Sequence, residues 1–363
     1  MAKKIIIAGG GTGGHIFPAI AIANALKQQE PSIEILFIGA KGKMEMEKVP
    51  EAGYTIKGLD IAGFNRSSLI KNIGLPFKLV KSFIQVRQIF RSFQPDAVIG
   101  VGGYSSFPVL RYAQSRGIIT FIHESNSLAG KTNGLLGKLA FKIFTASDNM
   151  QKFFPQDKIM VTGNPVRKEI ANINVERDEA IQSFLLRKQK KTVLVIGGSL
   201  GAKSINDAVA LHIDEFEKNG LQLIWSIGKA TANQYLPLVQ NRENVWAGEF
   251  IREMYMAFAA ADIVVSRSGA MSVSELSVVK KPVVFVPFPF ASEDHQTANA
   301  MHLVSKQAAL MIKDDEVKEK LIATVIALSK DEALQQQLKN NIATLAIRNA
   351  DEIIAKEVLN TIA

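Results

Sequence analysis

The chain has 363 residues, 47% hydrophobic and 21% charged, a length that points to two domains and a balance that excludes a mainly disordered chain. It has no cysteine, which removes disulfides, thiolate metal sites and thiol nucleophiles and agrees with a reducing, cytoplasmic setting. The net charge is +9, and residues 1–163 alone carry 20 basic against 10 acidic side chains, so the excess forms a local basic surface suited to nucleic acid, anionic lipid or a polyanionic ligand. The start of the chain resembles a signal peptide only as far as Ala8, and no stretch reaches the roughly 18 uncharged apolar residues of a membrane-spanning helix.

Short β-branched runs alternate with helical patterns from end to end, which is the signature of parallel sheets. Strands are predicted at 4–8, 33–38, 97–101, 118–122, 143–146 and 159–161 in a first unit, and at 192–196, 221–227, 244–246, 263–266 and 283–286 in a second. Each unit opens on an apolar strand that runs into a glycine cluster and then a helix, so the fold class is α/β, two Rossmann-like domains in tandem. The joint is expected at Gly163-Asn164-Pro165-Val166-Arg167, because Asn-Pro disfavours helix. A ligand cleft is expected to face the carboxyl ends of both sheets.

The first cluster, Gly9 to Gly14, contains a GxGxxG match. A dinucleotide site also needs an acid after the second strand, where Phe37-Ile38-Gly39-Ala40 stands instead, so NAD is disfavoured. Glycines still let a phosphate approach backbone N–H groups at a helix start. His15, next in the chain, reads either as an ordinary helix-start residue or as a general base beside that anion.

Residues 61–95 carry six basic side chains and no carboxylate. Treated as a helix at about 100° per residue, 76–93 places Leu79, Phe83, Val86, Phe90 and Phe93 on a core stripe. Phe77, Val80 and Ile84 fall on another face, with Ile73 and Leu75 just ahead and Lys78, Lys81, Arg87 and Arg91 nearby. Two readings stand: an interfacial anchor for anionic lipid, or a helix buried on two sides with a basic edge. Nucleic acid is disfavoured, since the charge is not interleaved with stacking aromatics.

Gly102-Gly103-Tyr104-Ser105-Ser106 follows the third strand of the first unit and offers a second set of amides; His123-Glu124-Ser125-Asn126 follows the next. Turn chemistry accounts for the Ser and Asn in these loops equally well. In the second unit, 267–275 (RSGAMSVSE) frees amides at a helix start for a phosphate and puts Glu275 about one turn in, where a carboxylate can accept both hydroxyls of a ribose; a capped helix with an early acid is the plainer reading. The segment 293–299 (EDHQTAN) is a polar cluster after a buried strand. No Asp-x-Asp and no zinc-spaced histidine pair occurs, so neither a metal nor another cofactor is called for.

Eight segments in order carry a resemblance over nearly the whole chain: GGGTGGHIFPA at 9–19, GVGGYSS at 100–106, HESNSLAGKTN at 123–133, GNPVR at 163–167, GGSLGAKSIN at 197–206, EFI at 249–251, SRSGAMSVSEL at 266–276 and EDHQTANA at 293–300. Together they resemble the bacterial undecaprenyl-diphospho-muramoylpentapeptide N-acetylglucosaminyltransferases, which make lipid II of peptidoglycan. The resemblance implies a GT-B fold, with an acceptor domain at 1–163, a UDP-N-acetylglucosamine (UDP-GlcNAc) domain at 164–345, and a last helix within 346–363 that returns to the first. It implies uracil at the backbone of Ile251, the ribose at Glu275, the diphosphate at Ser199 and at the helix start Ala270, Met271, Ser272, Val273 and Ser274, and the sugar at Gln296. Thr12, Gly13, Gly14, Asn126 and Arg167 would complete the donor site. Gly11, Gly14, Gly103, Tyr104 and Ser105 would hold the diphosphate of lipid I.

By the same resemblance His15 is the base that deprotonates the 4-hydroxyl of N-acetylmuramate, with Glu124 as its rival. The membrane patch maps onto Ile73, Leu75, Phe77, Val80 and Phe83, although the helical phase puts Phe83 in the core. Ile84, Lys78 and Lys81 adjoin it. Relatives carry aromatics where this chain has smaller or polar residues such as Gln114, which implies a weaker anchor. The implied location is the cytoplasmic face of the bacterial cell membrane, peripheral, with cell-wall synthesis and division proteins as partners and no nucleic acid. Other readings of the same architecture are a UDP-GlcNAc 2-epimerase, a glycolipid-synthesising glycosyltransferase, and a nucleotide-sugar-sensing membrane scaffold.

Overall fold

The computed structural model describes residues 2–63, 72, 74–198 and 200–363. Ile73 and Ser199 lie outside the described residues. The chain divides into two compact units, Met1–Val166 together with Arg348–Ala363, and Arg167–Ile347.

The first unit is built on seven parallel strands: β1 (Lys4–Ala8), β2 (Glu34–Ala40), β3 (Thr55–Leu59), β4 (Ala97–Gly100), β5 (Ile119–Glu124), β6 (Lys142–Thr145) and β7 (Ile159–Val161). They lie in the order β3-β2-β1-β4-β5-β6-β7. Successive side chains of a strand point to opposite faces, so the run Ile5-Ile6-Ile7-Ala8 feeds two cores. Ile5 and Ile7 pack with Ile16, Ile22 and Leu26 of α1 (Gly13–Gln29). Ile6 and Ala8 pack with residues that follow β3: Val86 and Phe90 of α3 (Leu75–Phe93), and Val109 and Leu110 of α4 (Ser106–Ser115). Two shorter helices complete the set used below, α2 (Glu45–Glu51) and α5 (Lys131–Gly137). Each fully buried isoleucine contributes about 1.5–3 kcal/mol.

The helix Ala350–Thr361 covers α1, with Ile354, Ala355 and Val358 fully buried in the same cluster as Ile5 and Ile7. Gln29 Nε2 donates to the Glu352 carbonyl, and Lys142 forms an ion pair with Glu357.

The second unit holds six parallel strands: β8 (Lys191–Ile196), β9 (Leu221–Ser226), β10 (Val245–Gly248), β11 (Ile263–Ser266), β12 (Val283–Phe285) and β13 (Leu310–Met311). Their order is β10-β9-β8-β11-β12-β13. In both sheets the order reverses beside the first strand of the unit, between β1 and β4 and between β8 and β11. The carboxyl ends of strands at such a switch point open onto the ligand crevice. Gly9–Gly14 and Gly102–Ser105 occupy that place in the first unit, and Gly197, Gly198, Gly201 and Arg267–Ala270 in the second.

On α3, Val86 and Phe90 are buried, while Phe77, Val80 and Ile84 are 79%, 61% and 54% exposed. Phe83 is half-buried and meets Phe107 edge to face at 6.4 Å, which places its ring on the side of α3 that faces α4. Lys81 is paired with Asp60 at 2.8 Å, and Lys41 reaches the same carboxylate at 3.0 Å. The carboxylate-free stretch thus takes its counter-charge from the residue just before it. Gln114 turns inward, donating to the Leu136 carbonyl and to Thr120 Oγ1.

Candidate functional site

In the first unit the chain leaves β1 through Gly9, Gly10 and Gly11, at φ of 146°, 145° and 90°, backbone that favours glycine. Thr12 caps α1, and Gly13 and Gly14 are its first residues. The Gly10 N–H donates to the Gly102 carbonyl at 3.3 Å, which ties this loop to the one after β4. His15 Nδ1 lies 3.1 Å from the Gly10 carbonyl and 3.5 Å from Thr12 Oγ1. A carbonyl only accepts, so Nδ1 carries the proton and Nε2 keeps its lone pair in the neutral ring. A Cβ on Gly102 would fall 2.9 Å from Nε2; glycine there leaves the proton-accepting edge uncovered by a side chain.

The Gly11 N–H is already engaged: it donates to Glu45 Oε2 at 2.8 Å. Gly11 therefore holds the loop in shape through that bond. Glu124 is engaged as well. Its carboxylate accepts from Asn126 N, Asn126 Nδ2, Gly130 N and Asn133 Nδ2 at 3.0, 3.3, 3.0 and 2.9 Å, and it is 2% exposed. A carboxylate with four donors on it braces the 124–133 loop. Asn126 is thereby anchored at the sheet edge, and Ser125 Oγ donates to the Gly14 carbonyl at 3.4 Å.

Gly103 sits at φ 84° and Ser105, 2% exposed, precedes α4. Burial, and then the charge of Glu45, raise the pKa of Tyr104 and keep its phenol a hydrogen-bond donor. Tyr104 also lines a largely apolar cavity of about 390 Å³ with Ile61, Leu75, Pro76, Leu79 and Phe107. His123 is fully buried with Nε2 unpartnered, and burial above all lowers its pKa to about 4. It is neutral at physiological pH.

In the second unit Arg167 grips Glu275 with two parallel bonds, Nε to Oε1 at 2.8 Å and a terminal nitrogen to Oε2 at 3.1 Å. Burial would lower the Arg167 pKa, but Glu275 outweighs it and the net shift is upward. Glu275 is 8% exposed and each oxygen retains acceptor capacity for a hydroxyl. It lies in the helix Ala270–Val279, whose N-cap is Gly269 and whose start carries no side-chain cap. Val273 N closes onto the Gly269 carbonyl, and Ser274 Oγ donates to the Ala270 carbonyl at 3.1 Å; Met271 and Ser272 complete that first turn. Gln296 fixes its side-chain oxygen on Phe288 N at 3.0 Å, and its own carbonyl accepts from Ser268 Oγ. Glu293 and Asp294 ahead of it both have left-handed backbone, φ 55° and 56°, strain of the kind that clusters at ligand sites. Ile251, 3% exposed, lines a cavity of about 270 Å³ with Phe184, Trp246, Phe250 and Met256.

Glu45 had no place in the motif reading. The faint signal for it was Gly39 at the end of β2, where the missing acid of a dinucleotide site was noted; the acid stands a few residues later and binds backbone.

The description "Glycosyltransferase family 28 N-terminal domain" matches residues 5–145, and "Glycosyltransferase family 28 C-terminal domain" matches 192–356. A protein of Phocaeicola vulgatus named UDP-N-acetylglucosamine--N-acetylmuramyl-(pentapeptide) pyrophosphoryl-undecaprenol N-acetylglucosamine transferase is 49% identical over 98% of this chain and 95% of its own. One of the same name from Flavobacterium psychrophilum is 48% identical over 99% and 98%. The crystal structure of Acinetobacter baumannii MurG matches with a TM-score of 0.82 at 27% identity, covering 99% of both chains. The chain belongs to glycosyltransferase family 28 and has its GT-B fold, two units each built on a parallel sheet.

Proposed function

We propose that the chain transfers N-acetylglucosamine from UDP-GlcNAc to the 4-hydroxyl of N-acetylmuramate in lipid I, with inversion, giving lipid II and UDP. The observation that carries this reading is identity near one half, over almost the full length, to transferases that share one name. The geometry adds the chemistry. His15 offers Nε2 as a proton acceptor; as the acceptor oxygen bonds to C1 of the sugar, its proton passes to Nε2, and the bond from C1 to the β-phosphate oxygen breaks to release UDP.

On the donor side we assign the ribose diol to Glu275, oriented by Arg167, and uracil to the backbone of Ile251. The diphosphate goes to the helix start at Ala270, with Ser199, and the sugar to Gln296. Thr12, Gly13, Gly14 and Asn126 remain as further donor contacts. On the acceptor side Gly103, Tyr104, Ser105 and Gly14 take the diphosphate, and the apolar cavity beside Tyr104 suits the first isoprenoid units. The location follows from the same substrate: no described helix is long and apolar enough to cross a membrane, and Phe77, Val80 and Ile84, ringed by Lys78, Arg87 and Arg91, suit an anionic cytoplasmic leaflet.

The deciding experiment supplies UDP-GlcNAc and lipid I in detergent without added metal. Lipid II and UDP are expected in equal amounts. UDP-GlcNAc binding without turnover would instead identify a sensing scaffold, and turnover of UDP-GlcNAc without lipid I an epimerase.

A further inference from the structure

We propose that Glu45 is the positioning residue for His15, acting through the single peptide plane that joins Gly10 to Gly11. The inference rests on the reading of His15 as the base.

Glu45 opens α2 and is 1% exposed. A carboxylate at that depth needs hydrogen-bond donors on it. Both are backbone: Ala40 N–H on Oε1 at 2.9 Å and Gly11 N–H on Oε2 at 2.8 Å. Among the described residues no Lys or Arg pairs with it; the two peptides are its hydrogen-bond partners, and its charge also reaches the Tyr104 phenol.

The Gly10–Gly11 peptide is trans, as are all peptide bonds of the chain. In a trans peptide the N–H and the C=O are rigidly coplanar and point in opposite directions. Holding the Gly11 N–H on Glu45 therefore aims the Gly10 carbonyl the other way, and there His15 Nδ1 stands 3.1 Å from it. The carboxylate also polarises the peptide, which makes its carbonyl a stronger acceptor. The proton is thereby held on Nδ1, which leaves Nε2 as the accepting nitrogen. A carboxylate placed directly behind a catalytic imidazole does the same in hydrolytic triads; here one peptide unit stands between the two.

Two glycines exist to admit this carboxylate. A Cβ at Gly10 would lie 2.4 Å from Glu45 Cδ, and one at Gly39 would lie 2.4 Å from Cγ.

Glu45→Gln keeps the shape but must turn its NH2 toward one of the two N–H groups, donor against donor, and it removes the charge. With UDP-GlcNAc and lipid I, kcat is expected to fall roughly 10- to 100-fold, with KM for UDP-GlcNAc unchanged and the thermal midpoint lower by only a few degrees, the cost of one unsatisfied buried N–H. Placed on His15→Ala, the same substitution is expected to add no further loss in single-turnover assays. Should Glu45→Gln not fold, Gly39→Ala displaces the carboxylate while keeping its charge and is expected to show the same split. A Glu45→Gln kcat within twofold of the unmodified chain, a loss that multiplies that of His15→Ala, or a donor KM that rises in step would each overturn the relay. His15→Ala at full turnover would remove the base reading and the relay with it; an inert Glu45→Gln beside an inactive His15→Ala removes the relay alone.

Discussion

After β1, the loop Gly9–Gly14 adds a side-chain brace to its backbone bonds: the carboxylate of Glu45 holds the Gly11 N–H, and the Gly10 carbonyl holds His15. After β8, Gly198 and Gly201 lean on main chain. Gly201 N donates to the Gly198 carbonyl at 2.9 Å, and a Cβ on Gly201 would fall 2.1 Å from the Ile227 carbonyl oxygen. The charge at this second switch point is handled elsewhere, by Arg167 on Glu275 and by Arg267 on Asp314. A loop braced by a side chain can have its electrostatics tuned one atom at a time. A loop braced by backbone contact offers only fit or failure. The difference matches the proposed division of labour, with proton transfer in the first unit and recognition of a rigid nucleotide in the second.

The largest expected effect falls on the chemistry of the first loop. His15→Ala should lower kcat by about 10²- to 10⁴-fold with UDP-GlcNAc affinity unchanged by calorimetry; full turnover would show that the first loop does no proton transfer. Next is a matched pair of glycine substitutions. Gly201→Ala should cost about 3–5 kcal/mol in urea unfolding, since both clashing partners are backbone and its φ is 81°. Gly10→Ala should cost about 1–2 kcal/mol and reduce turnover more than stability, because the group it meets is a side chain. Equal stability costs would erase the distinction drawn above.

A third expectation concerns acid. His123 of the first unit titrates at about 4 when folded, against an ordinary value of 6.5, through burial and the neighbouring His15, with a Gly163 backbone bond opposing. The unfolded chain binds the proton first, so the contribution is intact above pH 6.5 and is lost as pH falls toward 4. About 3 kcal/mol is at stake. Unfolding free energies measured from pH 7.5 to 4 should show this step, and His123→Asn should flatten it. The smallest effect is at α3. Phe77→Glu with Ile84→Glu should weaken binding to anionic vesicles about tenfold while leaving donor affinity alone; undiminished vesicle binding would discard the anchor.

Much of the architecture was legible because parallel strands buried on both faces read as apolar runs, as at Ile5-Ile6-Ile7 and Val193-Leu194-Val195. β3 was not, because the edge strand Thr55–Leu59 mixes Lys57 and Gly58 into a half-exposed pattern. β13 was not, because two residues carry no period. At the site, glycine clusters and the Arg167, Glu275 and Gln296 positions stood in recognisable motifs. Glu45 did not, since GKMEMEK reads as the charged surface of a helix, and only folding brings its carboxylate beneath a loop more than thirty positions earlier. The bonds made by Gly11 and Glu124 were hidden for a related reason: sequence shows which groups are able to donate or accept, while folding decides which partners they meet.

The return of Ala350–Thr361 to α1 has a consequence for biosynthesis. Ile354, Ala355 and Val358 cover the outer layer over β1, so the ribosome must deliver the whole second unit before that layer closes. Until then the apolar flank of α1 stays open to water and to chaperones, and the second unit, continuous in sequence from Arg167 to Ile347, is free to mature ahead of the unit that was begun first.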